Sequence, residues 1–369
     1  MNRGPSAEIN LPALHHNLTI VKKIAARRPV IAVVKADAYG HGAIEISKKL
    51  IDEGVSYLAV AFSGEAKILR DAGITAKILV LFDRTDIPDY FESRLIPAIQ
   101  DIKIARLFSK EAVRRRTKIP VHVKIDTGMG RIGFKPEEAV SDVVRISEMK
   151  GIEVEGLMSH FSEADLQDRS YAIHQLKIFN AIKKEIVKRT GRPVLSHIAN
   201  SAAVLSFKEA LLDAVRPGLL LYGYSPFKEC FGECFGLIPV MKVKTRILAV
   251  RNLPSGSPVS YGRTFITKRK SKIAVVPIGY ADGYSRLFSN NAEVLVRGKR
   301  APVVGRVCMD LTMIDVTDVD GISEGDEVIL LGGQGNEVVT ACELSSRIHT
   351  IPYDIITSLG SRAMKEYSE

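Results

Sequence analysis

The chain has 369 residues, 46% of them hydrophobic and 25% charged, a globular composition that excludes a disordered or fibrous protein and leaves room for a barrel with an appended domain. Its 52 Lys and Arg exceed its 42 Asp and Glu, a formal charge of +10, but the basic clusters are short, scattered and free of interleaved aromatics, which argues against nucleic acid as the main partner. No apolar run reaches the roughly 18 residues of a membrane helix, no apolar segment follows the opening Met-Asn-Arg-Gly-Pro-Ser to make a secretory signal, and four cysteines are too few for a disulfide scaffold, so a cytoplasmic protein with no membrane partner is expected.

Leu11, Leu14, Leu18, Val21 and Ala25 recur at three- and four-residue spacing. They predict an amphipathic helix with Asn10 as its cap and Pro12 in its first turn. The apolar run 30–34 predicts a buried strand that ends at Lys35. Strand-like runs follow at 57–61, 78–81, 96–98, 121–125, 154–158, 196–199 and 214–216, most of them separated by helical patterns, of which 136–149 and 168–189 are the clearest. Eight such strands in about two hundred residues predict an α/β fold, a (β/α)8 barrel of the TIM type. The character changes near 231–236. Beyond it the runs 240–250, 273–277, 292–297, 301–307, 312–316 and 327–331 predict a mostly antiparallel β domain. The expected division is a barrel over 1–235 and a β domain over 236–369. Cys230 and Cys234 form a C-x3-C pair, but no second pair at ligand spacing follows, so no metal site is expected. Cys342 reads as core.

Barrel active sites form at the C-terminal ends of the strands, and that rule selects the residues that carry chemistry. The fifth barrel run leads into Gly128-Met-Gly-Arg-Ile-Gly133, a literal G-x-G-x-x-G. A dinucleotide site needs its helix to open inside that loop. Here Phe134-Lys135-Pro136 delays the helix, so the motif predicts close backbone approach around Arg131 rather than a nucleotide fold. Lys35 follows five apolar residues at a strand end. Its plainer reading is a lysine that snorkels to solvent. Burial, however, lowers a lysine's pKa and suits the amine to Schiff-base chemistry with a carbonyl cofactor, of which pyridoxal phosphate is the usual one. The loops after the seventh and eighth runs are where barrels commonly hold phosphate. They offer the Ser201 hydroxyl, beside a cap-like Asn200, and the backbone N–H groups of Gly218 and Leu219.

Seven stretches then run in one order across nearly the whole chain: 32–43 (AVVKADAYGHGA), 124–134 (KIDTGMGRIGF), 200–203 (NSAA), 216–218 (RPG) with 221–223 (LYG), 259–265 (VSYGRTF), 278–286 (IGYADGYSR) and 305–310 (GRVCMD). Together they resemble the motifs of bacterial alanine racemases. The resemblance implies a homodimer with shared active sites, dependent on pyridoxal phosphate, that interconverts L- and D-alanine and supplies D-alanine for peptidoglycan. It implies that Lys35 holds the cofactor covalently and serves as one catalytic base. Tyr39, Asn200, Ser201, Gly218, Leu219 and Tyr353 would bind the cofactor, chiefly its phosphate. Arg131 would meet the ring hydroxyl side and the substrate, with Lys124 nearby, a position carbamylated in some members. Arg216 would meet the ring nitrogen, and His160 would link Arg216 to Tyr261. Tyr261, reaching in from the other subunit, would be the second base, and Met309 of that subunit would lie near the substrate carboxylate. Tyr353 and Tyr261 would narrow an entrance gated further out by Asp165, Arg286, Arg306 and Ile351. Pro12, Tyr224 and the Cys-Phe-Gly duplication at 230–236 depart from the family pattern without touching these positions.

The implied chemistry has a physical logic. Enantiomers have equal free energy, so the reaction must run equally well both ways, and two bases on opposite faces, Lys35 for the D face and Tyr261 for the L face, would achieve this without the intermediate turning over. A free tyrosine, with a pKa of about 10, is mostly protonated near neutrality, so a relay through His160 and Arg216 is expected. An arginine stays charged and leaves the ring nitrogen of the cofactor unprotonated, which would suppress transamination. Two alternatives stay open: a racemase for serine, lysine or a broader set, and a pyridoxal phosphate-dependent decarboxylase of basic amino acids. Cys308 speaks for the decarboxylase, Arg216 and Tyr261 against it.

Overall fold

The computed structural model describes residues 4–83, 86–227 and 234–368. It opens with a strand that the sequence reading did not include, β1 (Ser6–Asn10). The predicted helix follows at Leu11–Ala25. Asn10 Oδ1 accepts from the Ala13 N–H at 2.8 Å, and Pro12 sits in the first turn, where its missing N–H loses no helical bond. Ala13, Leu14, Leu18, Val21 and Ala25 form the buried stripe. Each Leu or Val so removed from water contributes roughly 1.5–3 kcal/mol, which fixes the helix against the barrel.

Seven parallel strands then pair in chain order: β2 (Ile31–Val33), β3 (Tyr57–Val60), β4 (Lys77–Val80), β5 (Ile96–Ile99), β6 (Ile119–Lys124), β7 (Ile152–Met158) and β8 (Leu195–His197). The eighth predicted strand, 214–216, is only a bridge, Val30 to Val215. It still joins the two ends of the sheet. Ile31 N–H donates to the Val215 carbonyl at 2.8 Å, Val33 N–H to the Pro217 carbonyl at 3.0 Å, and Arg216 N–H to the Ala199 carbonyl at 2.9 Å. Pro217 has no N–H with which to extend the ladder, which is why this element stays short. The fold is the expected α/β barrel.

Past residue 240 the pairing is mostly antiparallel, as predicted. The run 240–250 is two strands, β9 (Met241–Arg246) and Ala249–Leu253. β9 pairs with β1 on one side and Glu327–Gln334 on the other, and β1 pairs in parallel with Met364–Ser368. The first strand of the chain is therefore built into the sheet of its C-terminal half. Two helices, Ala341–Arg347 and Pro352–Arg362, also belong to this half and are absent from the sequence reading. Their start signals are ordinary: Thr340 Oγ1 caps the Glu343 N–H at 3.0 Å, and Pro352 opens the second helix. That second helix packs on residues 35–40 and brings Tyr353 to the barrel mouth. Cys342 is buried, as a core residue should be. Cys230 lies outside the described residues. Among the described residues, no helix is long and apolar enough to cross a membrane.

Candidate active site

A cavity of about 550 Å³ opens at the C-terminal ends of the barrel strands. It is lined by eleven of the residues singled out in the sequence: Lys35, Tyr39, Arg131, His160, Asn200, Ser201, Arg216, Gly218, Leu219, Ile351 and Tyr353. Phe82 and Lys124 also line it.

Lys35 begins a turn that no local signal announced. Ala36, Asp37, Ala38 and Tyr39 all have φ between 52° and 55°, a left-handed helical turn of non-glycine residues. Such a conformation costs about 1–2 kcal/mol per residue, and it persists only where the surroundings over-determine it. Glu65 Oε1 accepts from the Ala36 N–H at 2.6 Å. Asp37 Oδ1 accepts from the Ala43 N–H at 2.7 Å, and Oδ2 pairs with Lys365 at 2.9 Å. The buried His41 places Nδ1 at 3.0 Å from the carbonyls of both Ala38 and Tyr39. Carbonyls only accept, so Nδ1 carries the proton. The turn aims Tyr39 at Gly218, where an added methyl group would sit 2.4 Å from the tyrosine oxygen. Ser201 Oγ accepts from the N–H groups of Gly218 at 3.0 Å and Leu220 at 3.4 Å, while Asn200 Oδ1 caps the Ala203 N–H at 3.0 Å. The Tyr39 ring centre lies 4.9 Å from that of Tyr222 and 5.9 Å from that of Tyr353. Hydroxyls and close-approach backbone thus gather at one end of the cavity, a donor set suited to a phosphate.

Positive charge gathers around Phe82. Lys35 Nζ, Lys124 Nζ and the Arg131 guanidinium lie 5.6, 5.2 and 5.5 Å from the centre of one ring, Phe82. Burial, and then Arg131, pull Lys35 below the usual lysine range, against a smaller opposing pull from Glu65. Burial, Arg131 and Arg216 push Lys124 down to about 7. The carboxylate of Asp126 is occupied by the glycine-rich loop: Oδ1 accepts from the N–H groups of Gly128, Met129 and Gly130 at 3.0, 2.8 and 3.1 Å, and Oδ2 from that of Arg131 at 2.8 Å. The G-x-G-x-x-G stretch is folded around its own aspartate and presents Arg131 to the cavity, in keeping with the rejection of a dinucleotide site. The Lys124 shift carries a stability prediction. An unfolded lysine keeps its proton up to about pH 10.5, so between about pH 7 and 10.5 the unfolded chain binds the extra proton and stability rises with pH. Lys124→Met is expected to stabilise the protein most below about pH 7, with the gain shrinking toward pH 10.5. Thermal unfolding of both proteins across that range checks it.

Arg216 is buried and heavily held. One terminal nitrogen donates to His197 Nδ1 at 2.5 Å and to the His197 carbonyl at 2.9 Å. The other donates to the Ser159 carbonyl at 2.6 Å and lies 3.4 Å from His160 Nδ1. Its Nε–H takes part in none of these four bonds. His197 Nε2 is 2.7 Å from His122 Nδ1, and His122 Nε2 is 2.9 Å from the Tyr57 hydroxyl. A guanidinium can only donate, and that sets every proton down the chain. His197 Nδ1 accepts, so its Nε2–H donates to His122 Nδ1. His122 Nε2–H then donates to Tyr57, whose own O–H is left for Glu155. Burial keeps both rings neutral, holding His122 down at about 3 and His197 well below the usual histidine range. Burial also lowers Arg216 to about 10, still protonated at neutral pH. The sequence reading missed this chain. Its one local cue was the alternation of His122 and Lys124 with Val121 and Val123, which turns the polar pair toward the barrel interior.

Tyr261, Met309, Asp165, Arg286 and Arg306 do not line the cavity. Asp165 is near enough to help burial push Tyr353 up to about 12. Arg286 is exposed and opens the short turn Arg286–Phe288, whose Phe288 is buried. Tyr261 begins the turn Tyr261–Arg263 in the C-terminal half and is 70% exposed, while Met309 is 54% exposed. Ser260 Oγ donates to the Arg306 carbonyl at 2.6 Å, so the two loops lie together. Ile266 and Leu287 are exposed apolar side chains of the same half.

The family model described as the alanine racemase N-terminal domain matches residues 9–226, and that of the alanine racemase C-terminal domain matches 240–367. The alanine racemase of Thermodesulfovibrio yellowstonii is 49% identical over 373 aligned residues, covering 100% of this chain and 98% of that protein. The crystal structure of the Bacillus anthracis alanine racemase with bound L-Ala-P superposes with a TM-score of 0.92 at 34% identity, covering 100% of this chain and 96% of that one. The alanine racemase of Bartonella henselae, with covalently bound pyridoxal phosphate, superposes with a TM-score of 0.88 at 29% identity and full coverage of both chains.

Proposed function

From the premise that the chain belongs to the alanine racemase family, we propose that it interconverts L- and D-alanine with pyridoxal phosphate as cofactor, by two bases that Lys35 and the Tyr261 of a second copy supply. Membership of the family supports racemisation of alanine. The observation that carries the finer reading is the single cavity that gathers Lys35, Tyr39, Ser201, Arg216 and Gly218. The residues fit the cofactor. Tyr39, Ser201 and the close-approach backbone at Gly218 make a cradle for its phosphate, a buried lysine amine of lowered pKa faces the same space, and Arg216 keeps an Nε–H outside its structural bonds. When bound, the cofactor supplies an electron sink that acidifies the α-hydrogen of an amino acid joined to it.

The protein's own residues do the rest. Lys35, lowered by burial and by Arg131, reaches its neutral, proton-accepting form more readily than an exposed lysine. Arg131 and Lys124 bring positive charge to the side where a substrate carboxylate would sit. Burial and the cations Arg216, Arg131, Lys124 and Lys35 hold His160 neutral, so it can pass a proton while staying uncharged. Tyr353 and Ile351 border the cavity and limit the side chain it accepts. The exposure of Tyr261 and Met309, outside the cavity of their own chain, supports a homodimer in which each copy completes the other's site. We place the division between barrel and β domain near residue 235, the enzyme in the cytoplasm, and its D-alanine product in peptidoglycan synthesis.

The test is proton NMR of L-alanine in heavy water with the purified protein and pyridoxal phosphate, followed by chiral analysis. Loss of the α-proton signal with growth of D-alanine supports the reading. No exchange with alanine, on protein shown to carry the cofactor, defeats it and turns attention to serine, lysine and carbon dioxide release. The cradle has its own test. Gly218→Ala places a methyl group against the Tyr39 oxygen, and overpacking of this kind costs about 1–3 kcal/mol. Cofactor affinity is expected to fall about 10- to 100-fold, read by fluorescence titration of the apo-protein.

A further inference from the structure

Ser289, Asn290 and Asn291 follow the short turn Arg286–Phe288, and together they hold three other segments of this half. Ser289 Oγ accepts from the Val307 N–H at 3.0 Å. Asn290 Oδ1 accepts from the Gly305 N–H at 2.6 Å, and its amide donates to Thr264 Oγ1 at 3.2 Å. The Asn291 amide donates to the Arg347 carbonyl at 2.7 Å, and the Arg347 guanidinium donates back to the Asn291 carbonyl at 3.4 Å. Asn290 has a φ of 54°, a conformation that asparagine tolerates better than most residues. Thr264 ends the turn that begins at Tyr261. Gly305 and Val307 flank Arg306, on the loop that continues to Met309. Arg347 closes the helix that leads to Ile351 and Tyr353. The loops also meet one another: a methyl group on Gly305 would lie 2.7 Å from the Ser260 Cβ, so a small slip of either loop would make a clash.

We propose that Ser289, Asn290 and Asn291 form a positioning clip that sets Tyr261, Met309 and the Ile351–Tyr353 border as one unit. The proposal rests on the reading of Tyr261 as a base. The clip residues touch no substrate and act through the loops they hold. Tyr261 is 70% exposed on a short turn, so little packing fixes it within its own chain. Within its own chain, hydrogen bonds from a neighbouring loop supply that rigidity, and a displacement of about 1 Å in a catalytic group can cost about 100-fold in rate.

Asn290→Gly keeps the left-handed backbone and removes both side-chain bonds. In the holoenzyme it is expected to lower kcat about 10- to 100-fold with the Kd for pyridoxal phosphate unchanged. The isotope effect with α-deuterated L-alanine should rise more than that with α-deuterated D-alanine, because the Tyr261 side of the proton transfer is the one loosened. Thr264→Val should have a smaller effect of the same kind and add nothing to Asn290→Gly. Unchanged kcat, equal isotope effects on both enantiomers, additivity, or a parallel loss of cofactor affinity would each overturn the clip. If Asn290→Gly does not fold, Thr264→Val and Asn291→Ala carry the same isotope comparison. Tyr261→Phe is measured alongside. Near-normal activity there defeats the base assignment and the clip with it, whereas an inactive Tyr261→Phe beside a normal Asn290→Gly defeats the clip alone.

Discussion

Lys35→Ala and Tyr261→Phe are each expected to lower alanine racemisation by about 10²- to 10⁴-fold, the range for loss of a positioned base, with Lys35→Ala at the upper end because it also removes the proposed covalent anchor. Neither should unfold the protein. Lys35 lies at the cavity wall and Tyr261 is mostly exposed. The pair becomes informative when the two inactive proteins are mixed. If each site takes Lys35 from one copy and Tyr261 from the other, a hybrid dimer has one site with both residues intact and one with neither. Random exchange at equal concentration makes half the dimers hybrid, so about a quarter of wild-type activity should return. If both bases came from one chain, every site in every dimer would lack a residue, and no activity would return. Exchange has to be shown independently, for example by mass-tagged subunits. Proven exchange with no recovery would sink the shared site. The exposure of Tyr261 and Met309, together with exposed Ile266 and Leu287 on the same half, is the structural reason to expect recovery.

What could be read from the sequence follows a physical division. Strand and helix periods are local, so β2 through β8 and the helix Leu11–Ala25 fall within a few residues of their expected places. Barrel geometry then collects the strand ends at one face, and eleven of the predicted site residues share a cavity for that reason. Features set by distant contacts were not legible. The left-handed turn at Ala36–Tyr39 has no glycine inside it and is held by Glu65 and Lys365, far along the chain. The proton chain from Arg216 to Tyr57 joins residues on four different strand regions, and His197, His122 and Tyr57 each read alone as an ordinary core position. The strand Ser6–Asn10 is short and finds its partners at both the middle and the far end of the chain. The two late helices, of seven and eleven residues, carry start signals at Thr340 and Pro352 but are short and follow a long run of strands, so they do not stand out in the sequence. Tyr261 is the opposite case. The resemblance names it, yet one chain does not bring it to the cavity it is proposed to serve.

Arg216→Glu is expected to change which reaction occurs as well as how fast. The guanidinium is protonated at neutral pH even with burial lowering it to about 10, and the bonds to Ser159, His197 and the His197 ring leave it little freedom to move. A donor that keeps its own proton cannot hand one to the ring nitrogen of the cofactor. With the cofactor bound, its electron withdrawal would then stay weak, and return of the proton to the α-carbon would be favoured over delivery to a more distant atom. A carboxyl group in that place would stabilise a protonated nitrogen and strengthen the withdrawal. Racemisation should fall by about 10²- to 10³-fold, the scale of losing one preorganised charged donor, while pyruvate formed per D-alanine formed rises. Arg216→Lys, which keeps the charge, should lose rate without the change in product ratio. An unchanged ratio in Arg216→Glu would refute the argument. The buried chain adds a second consequence. Without the guanidinium, His197 Nδ1 no longer has a donor, and the chain can only be re-satisfied by moving each ring proton to the other nitrogen. Tyr57 would then have to donate to His122 and could no longer turn its O–H toward the nearby Glu155 carboxylate. Glu155→Gln can donate to Tyr57 and so suits the reversed chain. It is expected to restore thermal stability in the Arg216→Glu background more than it alters the wild type, and equal effects in both backgrounds would show that the proton order along His197 and His122 does not depend on Arg216.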